Sequence, residues 1–385
     1  MTAARSQQDR PHAQDEPGAR SSAGHALYVV IPGDLEVRTG GYGYDRRIIA
    51  GLRDRGWRVD LRPLDGSFPT PTPAARAHAA QVLAGLPDGS TVLVDGLGLG
   101  ALPAEVEREA PRLTIVALVH HPLAAETGLD PALAAALEIS ERRALAAVRA
   151  VVVTSRATAA RLADYGVGAD RIAVVEPGTD PAPLARGSAV TGEPKAPGPQ
   201  PCTVALLCVA TLTPRKGYEL LLRALAAVPH RNWRLTCAGS LDRDPPTVAR
   251  VHAQIRDSGF EDRVSLMGDL DAAAVAAQYD RADVFVLPTL YEGYGMAVAE
   301  ALARGLPVVS TATGAIPELV GGEAGVVVAP GDLTALTEAL SRVIGDTDLR
   351  AQLAEGARRR RQQLPTWAAA AAAMAAALER AGTIG

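Results

Sequence analysis

Two acidic residues flank a glycine-rich corner in the second half of the sequence. The stretch PTLYEGYGMAVAEALARGLPVVST (288–311) is typical of a strand end, a turn and a helix, with Glu292 on the turn and Glu300 in the helix. Eight residues span about 12 Å of helix. The two carboxylates can therefore accept hydrogen bonds from two ends of a long ligand, while amides at the helix start bind phosphate between them. Taken singly, Glu292 also fits as a partner of the helix dipole and Glu300 as a solvated side chain.

The second candidate group is cationic. The stretch VATLTPRKGYELLLRAL places Arg215 and Lys216 after a buried strand and at the mouth of a helix, where a cation and the helix dipole together suit a diphosphate. Of the 39 basic residues only Lys195 and Lys216 are lysines. Because arginine is the usual cation of this chain, the lysine at this corner favours ligand binding over an ordinary charged helix start.

The first half of the chain offers two further candidates. Gly40 and Gly41 lie in TGGYG, a predicted strand-to-helix loop whose amides can approach a phosphate or a sugar, although a simple tight turn fits equally well. NAD binding is disfavoured, because G-x-G-x-x-G is incomplete and the second strand is not followed by the usual acid. His120 and His121 end the strand TIVALVH, where an imidazole can bind a sugar hydroxyl, carry a proton or simply face solvent.

Short apolar runs alternate with helical patterns along the whole chain, which predicts parallel sheets built from βαβ units. The predicted strands are 26–32, 58–64, 91–97, 114–120, 150–155, 172–178, 203–210, 233–239, 263–268, 284–289, 307–311 and 325–330. The helix predictions include 43–55, 74–85 and 131–149. The resulting fold class is α/β, with two Rossmann-like domains whose sheets face a central cleft, because ligands bind beyond the carboxyl ends of such strands.

The Gly- and Pro-rich segment RGSAVTGEPKAPGPQP (186–201) divides the chain as a linker. The predicted units are a disordered leader (1–24), a first domain (25–185), the linker (186–201), a second domain (202–364) and a C-terminal helix that packs back on the first domain (365–385).

Composition excludes several functional classes. The net charge of −4 gives no basic field for nucleic acid. No apolar run is long enough for a membrane span, and Cys202, Cys208 and Cys237 lack metal-ligand or disulfide spacing, so we expect a cytoplasmic protein with free thiols. Arginines within 43–62 could meet anionic lipids weakly, but interspersed aspartates favour a solvated surface.

The sequence predicts no metal site. Asp242 and Asp244 in LDRDPP superficially resemble a metal-binding acid pair. They follow a strand end and precede two prolines, and a divalent cation needs several converging oxygen ligands. A polar loop is the better interpretation.

These motifs together resemble the retaining GT-B glycosyltransferases of the family 4 type. EGYGMAVAE matches the family's E-x7-E signature and VATLTPRKG its basic diphosphate motif. TGGYG, VVVTSRATAARL, IAVVEPGTD, GAIPELV and GVVVAPGD follow in the family's order. The likeness covers residues 26–380 and implies that 25–185 presents the acceptor while 202–364 holds a UDP- or GDP-sugar.

The resemblance also implies roles for individual residues. Glu292 would contact the donor sugar, Glu300 the ribose, and Lys216 the diphosphate, while His120 would touch the sugar near the reacting carbon, with His121 as the alternative register. The remaining donor-site residues implied are Arg215, Thr211, Gly239, Met267, Gly268, Gly293, Tyr294, Gly295 and Met296. Thr211 stands where the family usually has an arginine, which Arg215 would replace, and PGTD (177–180) stands where the family has NG.

The expected activity is transfer of a hexose-type sugar to an acceptor hydroxyl with retention. It would need no metal or other cofactor, and the departing phosphate oxygen would deprotonate the acceptor. Replacing Lys216 by alanine should abolish most turnover without unfolding the protein. The alternatives are a GT-B sugar-nucleotide hydrolase, epimerase or glycoside phosphorylase, or a non-catalytic protein that binds nucleotide-sugars or glycans. The acceptor and the oligomeric state are not specified by the motifs.

Overall fold

The computed structural model describes residues 25–188 and 203–383, which form two six-stranded parallel sheets flanked by helices. The predicted α/β fold with two Rossmann-like units is confirmed. The predicted leader (1–24) and most of the predicted linker lie outside the described residues. The linker's first residues, 186–188, pack on the second unit, where the Arg186 guanidinium and amide bond Asp280.

The first sheet has the strand order β2-β1-β3-β4-β5-β6, so the order reverses between β1 and β3. Its strands are β1 (Ala26–Pro32), β2 (Arg58–Leu64), β3 (Thr91–Asp95), β4 (Thr114–Val119), β5 (Ala150–Val153) and β6 (Ile172–Val174). Its helices are α1 (Gly40–Asp54), α2 (Pro73–Ala84), α3 (Gly96–Leu99), α4 (Pro103–Glu109), α5 (Pro131–Ala147) and α6 (Arg156–Ala163).

The second sheet has the order β12-β11-β10-β7-β8-β9, with its reversal between β7 and β10. Its strands are β7 (Val204–Val209), β8 (Trp233–Ala238), β9 (Val264–Leu266), β10 (Val284–Leu287), β11 (Val308–Thr311) and β12 (Gly325–Val328). The helices are α7 (Tyr218–Ala227), α8 (Pro245–Asp257), α9 (Ala272–Arg281), α10 (Met296–Ala303), α11 (Ile316–Val320), α12 (Leu333–Gly345), α13 (Thr347–Arg360) and α14 (Trp367–Thr383).

All twelve observed strands lie within predicted runs. The central strands are buried on both faces and therefore appear in the sequence as continuous apolar runs. The start of α1 differs from the prediction of 43–55. The Thr39 hydroxyl accepts the Tyr42 N–H at 3.3 Å and caps the helix, so Gly40 and Gly41 form its first turn rather than a loop.

Within residues 25–188 and 203–383 the chain crosses between the two units twice, and the two crossings lie side by side. The Thr179 N–H donates to the Pro365 carbonyl at 2.8 Å, and the Arg361 guanidinium donates to the Ala182 carbonyl at 2.8 Å. After the second crossing, α14 packs against α1. There it buries Ala370, Met374 and Leu378 against Ile48 and Leu52 of the first unit.

Within the described residues, every helix is too short or too polar to traverse a bilayer. Several arginines in 43–62 bond the protein itself: Arg47 bonds Asp180 at 3.0 Å, and Arg62 bonds Asp60 at 2.8 Å. Lipid contact there stays a prediction. Cys208 and Cys237 are free and buried, and burial raises the pKa of Cys208 to about 12.

Candidate active site

Two loops meet at the point where the strand order of the second sheet reverses. One follows β7 and carries Arg215; the other follows β10 and carries Glu292. The Leu290 N–H and the Thr289 hydroxyl both donate to the Arg215 carbonyl, at 2.7 and 3.0 Å. The loops are therefore joined by their backbones at the place where a doubly wound sheet binds its ligand.

An ion pair lies at the centre of this junction. The Lys216 ammonium lies 2.5 Å from the Glu292 carboxylate, and the side chains are only 14% and 16% exposed. Burial opposes ionisation of Glu292, but Lys216 and then Arg215 outweigh it, so its pKa falls below the ordinary 4.5. Glu292 lies on the loop, as expected, and is a charged hydrogen-bond acceptor at neutral pH.

Arg215 connects this junction to the opposite unit. Its Nε donates to Glu126 at 3.1 Å, its Nη1 donates to the Tyr291 carbonyl at 2.9 Å, and Glu292 lies 4.0 Å away. Burial opposes ionisation of Glu126, yet His121 and Arg215 lower its pKa to about 2. No sequence motif indicated Glu126, which contacts Arg215 across the cleft.

The glycine corner brings the two units into contact. Gly295 has φ +98°, a conformation that glycine adopts without strain, and it begins α10. At Gly293 a Cβ would collide with the carbonyl oxygen of His120. The Met296 side chain packs on hydrophobic clusters of both units. Tyr294 is buried, and burial raises its pKa.

Glu300 lies on α10, away from the ion pair. It accepts the Tyr279 hydroxyl at 3.1 Å, and the guanidinium of Arg304 adds positive charge nearby. Burial dominates and raises the pKa of Glu300 above the ordinary 4.5. Tyr279 therefore orients one carboxylate oxygen.

The residues predicted to receive a base lie at the ends of β8 and β9. The Gly239 N–H donates to the Gly268 carbonyl at 2.9 Å, and Met267 is 44% exposed. Thr211 lines a cleft with Arg38 of the first unit and Arg243 of the second. Arg243 is a cation that the sequence motifs did not single out.

The first sheet contributes His120, which lies between two buried acids. Its Nε2 donates to Asp45 Oδ1 at 3.2 Å and lies 3.7 Å from Asp95 Oδ2. Asp45 lies on α1, and Asp95 ends β3 and caps α3 through the Leu97 N–H. We call these three residues the acid–imidazole cluster. Gly41 packs beside the ring, whereas His121 faces Glu126 at 3.6 Å.

Two pairs of acids bear on metal ligation. In the acid–imidazole cluster one ligand atom from each residue lies within 4.8 Å of the others, but the imidazole already bonds Asp45 directly. Asp244 caps α8 by accepting the Thr247 N–H at 2.9 Å. One oxygen of its carboxylate is therefore engaged at a helix start, and the absence of a metal at this pair stays a prediction.

A further acid supports the segment that carries Glu126. Glu141 on α5 is fully buried and accepts the Leu123 N–H at 2.9 Å. Burial raises its pKa to about 8. The sequence motifs did not indicate Glu141.

Comparison with known proteins identifies related sequences over both units. The family model described as Glycosyltransferase Family 4 matches residues 21–183, and the model described as Glycosyl transferases group 1 matches residues 203–346. The MMP alpha-(1->4)-mannosyltransferase of Mycolicibacterium hassiacum is 28% identical over 84% of this chain and 79% of its own length. The GDP-mannose-dependent alpha-(1-6)-phosphatidylinositol monomannoside mannosyltransferase of Mycolicibacterium smegmatis is 30% identical over 81% of both chains.

A solved structure shares the fold. Sucrose-phosphate synthase from Thermosynechococcus elongatus superposes with a TM-score of 0.77 over 92% of this chain and 98% of that one, at 21% identity. Both units and their arrangement are thus those of a known two-domain fold.

Proposed function

This chain belongs to the glycosyltransferase family 4 type of GT-B glycosyltransferases, and on that premise we propose that it transfers a hexose from a nucleoside diphosphate sugar to an acceptor hydroxyl with retention. The observation that carries the proposal is the buried Lys216–Glu292 pair. It lies where the second sheet's strand order reverses, beside a glycine corner that touches His120.

Lys216 and Arg215 bind the diphosphate in this proposal, together with amides at the start of α10. Positive charge and oriented amides stabilise the negative charge that develops on the leaving group. Diphosphate binding gives Lys216 a second anionic partner, so Glu292 becomes available to sugar hydroxyls. Glu300 accepts hydrogen bonds from the ribose.

The proposed sugar transfer forms no covalent enzyme intermediate. The bond from the anomeric carbon to the phosphate oxygen breaks, and the acceptor oxygen forms the new bond on the same face of an oxocarbenium-like sugar. The acceptor proton passes to the departing phosphate oxygen. Lys216 neutralises part of the charge on that leaving group, so no side chain has to act as the base.

We propose a nucleotide-sugar as the only small-molecule partner besides the acceptor, with no metal or other cofactor. GDP-mannose is the first donor to test, because the relative from Mycolicibacterium smegmatis is named for its dependence on it. UDP- and ADP-sugars complete the panel.

Donor binding is measured first, by thermal unfolding with each sugar nucleotide. A ligand at about 100 times its Kd stabilises the native state by about 2.7 kcal/mol. For a domain of this size that corresponds to roughly 5–10 °C in Tm. Turnover is then followed as nucleoside diphosphate release with and without acceptor, in EDTA and in magnesium.

Lys216→Ala should lower kcat by about 10²–10³-fold, the usual effect of removing one transition-state contact. Arg223→Ala, an exposed cation on α7, is the matched control. The proposal fails if no sugar nucleotide stabilises the protein or if Lys216→Ala transfers normally. Release of free sugar without acceptor would instead indicate a hydrolase, and phosphate-dependent formation of sugar 1-phosphate would indicate a phosphorylase. Activity that is lost in EDTA and restored by magnesium would refute metal independence.

A further inference from the structure

The acid–imidazole cluster lies at the strand-order reversal of the first sheet. Asp95 is the last residue of β3, Asp45 lies on the helix that follows β1, and His120 follows β4. The two aspartates are each 2% exposed, and His120 meets both through the same ring nitrogen. This crevice is the counterpart of the one that holds Lys216 and Glu292 in the second sheet.

Few groups other than His120 offset the negative charge of the Asp45 and Asp95 carboxylates. Asp95 accepts the Leu97 N–H at 2.8 Å, whereas Asp45 Oδ2 is buried without a hydrogen-bond partner. Across residues 25–188 and 203–383, no lysine or arginine forms an ion pair with either acid. Burying an ion without a partner costs several kcal/mol. The imidazole is thus the group that can balance this charge.

The phenols of Tyr42 and Tyr44 on α1 lie near the two acids and are uncharged at neutral pH. Burial, then Asp95 and Asp45, raise the pKa of Tyr42 against an opposing effect of Arg243, and burial with Asp45 raises the pKa of Tyr44. Tyr44 meets the imidazole edge-on, with ring centroids 5.4 Å apart. On the opposite side the Thr154 hydroxyl donates to the His120 carbonyl at 3.4 Å.

We propose that Asp45 and Asp95 are positioning residues that hold His120 as an imidazolium, with Nε2–H bound to the acids and Nδ1–H left to donate to a substrate oxygen. The inference rests on the proposed sugar transfer and adds a role to it: His120 is a hydrogen-bond donor and not a general base. The proton of the acceptor hydroxyl must then leave on the phosphate oxygen.

The electrostatics agree with this geometry. Burial opposes charging of His120, but Asp45 and then Asp95 outweigh it, so its pKa rises above the ordinary 6.5. Burial and the neighbouring Asp45 raise the pKa of Asp95 to about 7. When the pH rises past 7, Asp95 ionises, and its negative charge beside the ring stabilises the imidazolium form of His120.

The direct test is an NMR titration of the imidazole carbons in the protein without substrate. The chain has seven histidines, so a His120→Gln variant identifies the resonance. We expect His120 to titrate above 6.5, and Asp45→Asn to lower its midpoint by about one to three pH units, the usual effect of one adjacent charge. Asp54→Asn, an exposed site on the same helix, should leave the midpoint unchanged.

The pH dependence of kcat supplies the second readout. Asp45→Asn should lower kcat at least tenfold at pH 8 and much less at pH 6, where a larger fraction of the variant's His120 rings is still charged. A loss of equal size at both pH values would indicate a purely structural role and overturn the proposal. Asp95→Asn keeps the cap on α3 and should show the same pattern more weakly.

The titration separates this inference from the proposed function. A His120 midpoint below 6, or one that Asp45→Asn leaves unchanged, refutes the imidazolium even if sugar transfer is observed. A raised midpoint in a protein that transfers no sugar refutes the proposed function and leaves the charge state of His120 established.

Discussion

Removing one member of the Lys216–Glu292 pair should affect stability as well as chemistry. Lys216→Met deletes the ammonium that lies 2.5 Å from Glu292 and leaves a carboxylate whose side chain is 16% exposed. Breaking a buried ion pair costs about 3–5 kcal/mol. Because Arg215 remains 4.0 Å from the same carboxylate, we expect the lower end, about 3 kcal/mol.

The assay is thermal unfolding of four proteins: the parent, Lys216→Met, Glu292→Gln and the double variant. At about 2–4 °C per kcal/mol, Lys216→Met should lose roughly 6–12 °C in Tm. The double variant lacks both the ammonium and the carboxylate charge, so no unpaired charge is buried. It should therefore regain most of that stability while remaining inactive. Arg223→Ala again controls for loss of an exposed cation.

A double-mutant cycle gives the coupling between the two sites. The reasoning is refuted if both single variants unfold at the parent Tm, or if the losses of the single variants simply add in the double variant. A double variant that transfers sugar at the parent rate would refute the catalytic roles independently of stability.

Two more predictions concern acids that the motifs did not reveal. Glu126→Gln should lower the donor Kd by about 1.4- to fivefold in calorimetry, because the diphosphate no longer has to displace from Arg215 a partly exposed ion pair worth about 0.2–1 kcal/mol. Glu107→Gln, which breaks an ion pair with Arg143, is the control, and unchanged or weaker binding in Glu126→Gln contradicts the idea. Glu141 has a folded pKa of about 8 against an ordinary 4.5, so its contribution to stability is fully present below 4.5 and is lost as the pH rises toward 8. Glu141→Gln cannot ionise, and its Tm relative to the parent should therefore be higher at pH 8.5 than at pH 5; an equal difference at both pH values would show that Glu141 does not titrate there.

The sheets can be predicted from the sequence because a strand that is buried on both faces is a continuous run of apolar residues. β4 and β10 are covered on both faces, and their apolar runs mark them without ambiguity. The loop position of Glu292 follows for the same reason, since a strand and a helix bound a short glycine corner. The start of α1 was predicted three residues late, because Thr39 caps the helix and draws Gly40 into its first turn.

The side-chain partners could not be predicted in this way. Glu126 and Arg215 are 89 residues apart and meet only when the two sheets face each other. Asp45 is separated from His120 by 75 residues in the sequence. The two meet because the strand order of the first sheet brings the helix after β1 close to the end of β4. Asp95 was not singled out either, because an acid at the end of a buried strand does not identify its partner by that position alone.

The two adjacent crossings connect the halves of the molecule at one place. The Thr179 N–H bonds the Pro365 carbonyl, and the Arg361 guanidinium bonds the Ala182 carbonyl. The two connecting segments are therefore hydrogen-bonded to each other and do not run independently. Because both connections lie at one place, the halves meet elsewhere only through non-covalent contacts such as Arg215 with Glu126 and Gly293 with His120. The register of the candidate site therefore depends on these contacts as well as on the chain itself.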